Sequence, residues 1–280
     1  MKWRGRRGSR NIQDRRGMRG GGRVAGIGGL GALVVVLIGA FAGVDLTPLL
    51  QGGGGPVSEP TGPNTIDDRT EEFVSVVLAD TEEVWSAIFD ASGGSYAEPE
   101  LVLYSGVTGS ACGTANAAVG PFYCPGDRRI FLDTSFFATL EQRLGAGGDF
   151  AFAYVIAHEV AHHVQNETGV LGEVNARRSR LPEAEANRLS VRIELQADCY
   201  SGLWARHAED RFGSLEPGDI EEAMNAAAAI GDDALQRAGQ GQVVPDSFTH
   251  GTSEQRQRWF ERGYASGDPE ACDTFSAEQL

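Results

Sequence analysis

The sequence predicts a helix-rich α+β domain with a small β-sheet, preceded by one transmembrane helix. Three observations carry that reading. Several segments repeat apolar residues at helical spacing, two short apolar runs are bounded by turn residues, and one uncharged stretch lies near the start.

The uncharged stretch, residues 24–44, is VAGIGGLGALVVVLIGAFAGV. As a helix rising roughly 1.5 Å per residue it would cross a hydrocarbon core of about 30 Å. Residues 1–23 carry nine Lys or Arg against one acid, Asp14, which reads as a basic cytoplasmic tail. The expected placement is therefore a single pass through the cell membrane, with the N-terminus cytoplasmic and the rest extracytoplasmic. A cleaved signal peptide is the alternative, with Ala40-Phe41-Ala42 as the cleavage site, but its apolar region would be only about 7–15 residues long. Residues 45–67, with Gly52 to Gly55 and Pro48, Pro56, Pro60 and Pro63, read as a linker. Residues 68–280 form the folded domain.

Beyond the tail there are 15 basic and 38 acidic residues. A body this acidic repels a phosphate backbone and excludes nucleic acid as its partner. All four cysteines follow the apolar stretch, and an even number in an oxidising compartment reads as two disulfides. Nearest-neighbour pairing gives Cys112–Cys124 and Cys199–Cys272. With no C-x-x-C pair, a cysteine metal site has poor support.

In chain order, Phe73, Val77, Val84 and Ile88 define a first helix from about Thr70 to Gly93-Gly94. Leu101 to Tyr104 and Arg129 to Leu132 are strands flanking the Cys112–Cys124 loop. A helix follows from near Asp149 to Asn166, ended by Gly169 and Gly172. A long helix spans about Pro182 to Ala208, another residues 217–230. Thr252-x-x-Gln255 is a capping box opening the last helix, which carries Trp259 and Phe260.

The sharpest chemical signal is His158-Glu159-Val160-Ala161-His162. Helical positions i and i+4 share a face, so both imidazoles can reach one zinc ion. Glu159, rotated by about 100°, can face the open side of the metal and take a proton from a bound water. The pattern is that of metallopeptidases, H-E-x-x-H. Glu194 and Asp198 form a second i, i+4 pair beside Ile193, Leu195 and Ala197. Two carboxylates in such surroundings are costly without a cation or donors. Glu194 reads as the third ligand, with Glu173, Glu183 and Glu185 as rivals, and Asp198 as acceptor of a ligand imidazole's N–H.

The segments IAHEVAHHVQ, IELQADCYSG, PDSFTHGTSEQR and GPFYCPGDRRIFLD, with NIQDRRG near the start, resemble the bacterial neutral zinc metallopeptidases. The resemblance covers nearly the whole chain. It implies a zincin-like domain with an active-site helix under a small sheet, and its E-x-x-x-D element resembles the gluzincin arrangement. His250 resembles the histidine of the Thr-His-Pro element, followed by an arginine, of membrane-bound gluzincins such as the CAAX-processing proteases. Gly251 stands where that element has proline. By that likeness His250 would stabilise the oxyanion of peptide hydrolysis, or else it is a capping histidine, and Arg256 reads as structural. His163 and His207 carry no role here, and Tyr154 reads as core.

The expected protein is thus a membrane-anchored, extracytoplasmic zinc metallopeptidase with one zinc per chain. Its ligands are His158, His162 and Glu194, its catalytic residues Glu159 and His250, and its substrate a peptide or protein. The alternatives are a membrane-tethered zinc-containing binding module and a zinc amidase acting on cell-wall material. Oligomeric state stays open.

Overall fold

The structure, a computed structural model, describes residues 1–16, 68–116 and 120–280. The transmembrane reading of 24–44, the linker reading of 45–67 and residues 17–23 lie outside them. Among the described residues no helix is long and apolar enough to cross a membrane.

The described residues form the expected helix-rich α+β arrangement. Helix α1 (Arg69–Ala91) is capped by Asp68, whose side chain accepts from the Glu71 amide. Four strands build one sheet: β1 (Ile12–Asp14), β2 (Glu100–Tyr104), β5 (Phe122–Cys124) and β6 (Arg129–Asp133), in the order β1-β2-β6-β5. β1, β2 and β6 are parallel, while β5 runs antiparallel to β6 and forms an edge. The hairpin β3 (Val107–Ser110) and β4 (Gly113–Asn116) forms a second, two-stranded sheet.

The period of two in the strands sorts the sheet's faces. Leu101, Leu103, Ile130 and Leu132 join the main core with α1, whereas Val102, Tyr104 and Phe131 pack with Phe122 and Ala115 on the other face. The Cys112–Cys124 disulfide ties the hairpin turn to β5, and Cys199–Cys272 ties a helix to the C-terminal segment, both as nearest-neighbour pairing predicts.

After α2 (Ser135–Gln142) the chain enters α3 (Asp149–Glu167), buried almost all round from Phe150 to Gln165. A helix apolar on all sides belongs inside a core. Its first turn has no side-chain cap at Gly148, and the Phe150 amide donates instead to Glu222 at 3.0 Å. Next come α4 (Val170–Arg178), α5 (Glu183–Phe212), α6 (Asp219–Ala229), α7 (Asp232–Gln240) and α8 (Ser253–Ser266). The capping box at Thr252 and Gln255 is present. Gly172 lies inside α4 and does not end a helix; Gly169, in the left-handed region, separates α3 from α4.

The largest departure from expectation is at the start of the chain. Residues 1–16 do not stand apart as a tail. β1 adds to the sheet beside β2, and Met1, Trp3 and Ile12 are buried in the main core. Clustered arginines dominate this segment, and a three-residue strand has no readable period, so only the packing reveals it.

Candidate metal centre

α3 and α5 meet where their polar i, i+4 pairs face each other. His158 Nε2 lies 3.0 Å from Glu194 Oε2, and His162 Nε2 lies 3.5 Å from Glu194 Oε1. One donor atom from each of the three residues lies within 4.8 Å of the others, and all three residues are buried. Two ligands at about 2.0–2.1 Å from one tetrahedral zinc are themselves about 3.3 Å apart. The donor set and its spacing fit such an ion. Glu173, Glu183 and Glu185, the rival carboxylates, are exposed.

Each imidazole is held by its other nitrogen. His158 Nδ1 donates to Asp198 Oδ1 at 2.9 Å, and His162 Nδ1 donates to Gln165 Oε1 at 2.8 Å. Gln165 is fixed in turn, its amide donating to the Ile193 carbonyl at 2.8 Å and to Gln196 Oε1 at 3.1 Å. Such partners select the tautomer whose Nε2 lone pair faces a metal.

Asp198, fully buried, collects further donors. Arg256 Nε donates to Oδ2 at 2.9 Å, Arg256 Nη2 to Oδ1 at 2.9 Å, and the Tyr154 hydroxyl to Oδ1 at 2.5 Å. Arg256, read from the sequence as structural, is 2 % exposed, forks onto this carboxylate and lines the cleft. Tyr154 is a core residue and lines the cleft as well.

The electrostatics favour a cation at the focus of the three donors. Burial alone would push Glu194 up, but His162, His250 and the bond from His158 outweigh it and hold the carboxyl well below its ordinary value. Burial likewise opposes charge on His158, yet Asp198 and Glu194 raise it to about 9. Asp198 is held low against burial by Arg256 and His158. Such surroundings favour positive charge at the focus of the three donors.

Glu159 lines the same cleft and is 7 % exposed. Burial raises its carboxyl, and its Oε2 has no hydrogen-bond partner. An orphaned buried oxygen calls for an explanation, and Glu159 lines the same cleft as the three donors.

His250 also lines the cleft. Its Nδ1 lies 3.1 Å from Asp232 Oδ1, and the Thr249, His250 and Gly251 amides all donate to Asp232 Oδ2. Asp232 and Glu194 raise the imidazole above its ordinary value against the effect of burial. Gly251 takes φ +95° and donates from its amide at 3.1 Å. Proline could provide neither, so the glycine at this position follows from the local geometry. Asp232 went unnoticed in the sequence because only the turn at 249–251 brings it to His250. His163 is buried between Tyr123 and the Ala97 carbonyl, and His207 bonds the Gly267 carbonyl.

Fold and site together define a helix-rich α+β protein with a buried His-His-Glu cluster that could hold a metal ion. The chain belongs to the family described as "Putative neutral zinc metallopeptidase", which matches residues 1–275. It is 50% identical over 286 aligned residues to the "Uncharacterized protein YpfJ" of Escherichia coli (strain K12), covering 98% of this chain and 99% of that one. It is 44% identical over 218 residues to the "Uncharacterized protein Rv2575" of Mycobacterium tuberculosis (strain H37Rv), covering 74% of this chain and 73% of the relative. No solved structure matches.

Proposed function

We propose that this protein is a zinc-dependent endopeptidase working outside the cytoplasm, with residues 24–44 as its contact with the membrane. His158, His162 and Glu194 would hold one zinc ion per chain. When bound, zinc polarises a carbonyl and lowers the pKa of a water to about 7. Glu159 then takes the proton of the attacking water and delivers it to the departing amine. His250, oriented by Asp232, donates to the carbonyl oxygen as negative charge develops there.

The observation that carries this reading is the Glu159 oxygen left without a partner beside three metal donors in an open cleft. A structural zinc site closes on four protein ligands. Here Asp198 is engaged by His158, Arg256 and Tyr154, and the cysteines are all in disulfides. That favours an open metal position over a binding module. The disulfides also support an oxidising compartment.

The test is zinc content and casein proteolysis by the full chain in detergent, beside Glu159→Gln. One zinc per chain, with cleavage lost in the variant, is the expected result. Full zinc without cleavage of any peptide, together with release from peptidoglycan fragments, would transfer the assignment to an amidase. A protein without zinc would overturn the reading.

A further inference from the structure

Helix α1 turns three carboxylates inward: Glu71, Asp80 and Glu82 are 0 %, 3 % and 3 % exposed. Partners for all three come from the first sixteen residues. Arg6 forks onto Asp80 with two bonds of 2.7 Å. Ser9 Oγ and Asn11 Nδ2 donate to Glu82 Oε1 at 2.5 and 2.8 Å, and Arg16 donates to Glu71 at 2.9 Å. Without this segment the three buried carboxylates would lose these donors, which a low-dielectric site does not tolerate.

The backbone gives independent support. The Leu101 amide donates to the Asn11 carbonyl at 2.8 Å, and the Arg15 amide donates to the Leu103 carbonyl at 2.7 Å. Both contacts lie on the side of β2 away from β6, an edge that would otherwise be open. Trp3 sits edge-to-face on Phe73 at 5.5 Å, and its indole N–H donates to Asp149, the first residue of α3. The segment is thus a piece of the domain's core, and it touches the start of the helix that bears the metal donors.

We infer that residues 1–16 and residues 68–280 lie on the same side of any membrane the chain meets. A single crossing between residues 16 and 68 would tear β1 from β2. The basic residues ahead of 24–44 therefore do not act as a cytoplasmic anchor for a domain on the far side, because Arg6, Arg7 and Arg16 are paired with carboxylates of that domain. The inference stands apart from catalysis and holds whether or not the protein cleaves peptides.

Sidedness can be measured on the full chain in intact spheroplasts. Arg10→Cys and Glu278→Cys, both at exposed positions, are treated separately with a membrane-impermeant maleimide, with lysed cells as the control for reactivity. Both labelled, or both protected until lysis, is the expected result. One labelled and the other protected would overturn the inference. Docking itself is tested by charge exchange between Arg6 and Asp80. Arg6→Asp and Asp80→Arg should each lower the unfolding temperature, and the double variant should recover part of the loss. Strictly additive losses would remove the contact on which the inference rests.

Discussion

At Asp198 one carboxylate meets an imidazole, a guanidinium and a phenol, all of them buried. Tyr154 and His158 lie one turn apart on α3 while Arg256 comes from α8, and together these contacts fix where His158 points. Asp198→Asn keeps the shape but weakens the hold on the ring, and zinc affinity should fall by about 10–100-fold, read by competition with a chelating dye. Arg256→Met leaves the carboxylate buried without its cation and should cost about 3–5 kcal/mol in urea unfolding. Glu159→Gln should leave zinc content unchanged while lowering turnover by about 10²–10⁴-fold or more. His158, Glu159 and His162 are legible in the sequence because helical spacing alone puts them together. Glu194 and Asp198 become legible once that motif is in place, as a second i, i+4 pair beside the apolar Ile193, Leu195 and Ala197. Gln165, Asp232 and the role of Arg256 are not, since Gln165 is one of many polar helix residues and the other two meet their partners only through tertiary folding.

Between elements, the crossing of α5 and α8 decides whether Arg256 reaches Asp198. Gly202 on α5 and Gly263 on α8 face the opposing backbone: a Cβ on Gly202 would strike the Phe260 carbonyl, and one on Gly263 the Cys199 carbonyl. Only glycine permits so close an approach. Gly202→Ala should therefore destabilise by at least about 1–3 kcal/mol, because neither helix backbone can yield cheaply. The same variant should bind less zinc, since pushing the helices apart withdraws Arg256 from the carboxylate that orients His158. The long helices were readable to within a few residues because periodicity accumulates over many turns. The three- and four-residue strands β1, β3, β4 and β5 and the nine-residue helices α4 and α7 were not, as too few residues carry the pattern.

For the molecule as a whole, the C-terminal segment is held by Cys199–Cys272 and by Gln196, whose amide donates to the Cys272 carbonyl at 3.2 Å. Removing this disulfide by Cys272→Ser should cost about 2–5 kcal/mol, seen as a lower melting temperature that reductant no longer shifts further through this bond. Its pairing was legible because four cysteines in one oxidised domain leave few choices, and neighbours in sequence were also neighbours in space. The place of residues 1–16 was hidden for the opposite reason. Nine basic residues before an apolar run satisfy a charge rule for membrane insertion, and nothing local says that carboxylates on a helix beyond residue 68 await them.

Arg256 follows Asp198 by 58 positions, and this spacing gives the centre a place in the life of the chain. A polypeptide made from its N-terminus presents His158, His162 and Glu194 long before the guanidinium that steadies Asp198 has been added. A half-made molecule would hold the donors without the framework that aims them. On the proposed function, hydrolytic competence should then arise only after α8 has closed over α5 and brought Arg256 to Asp198.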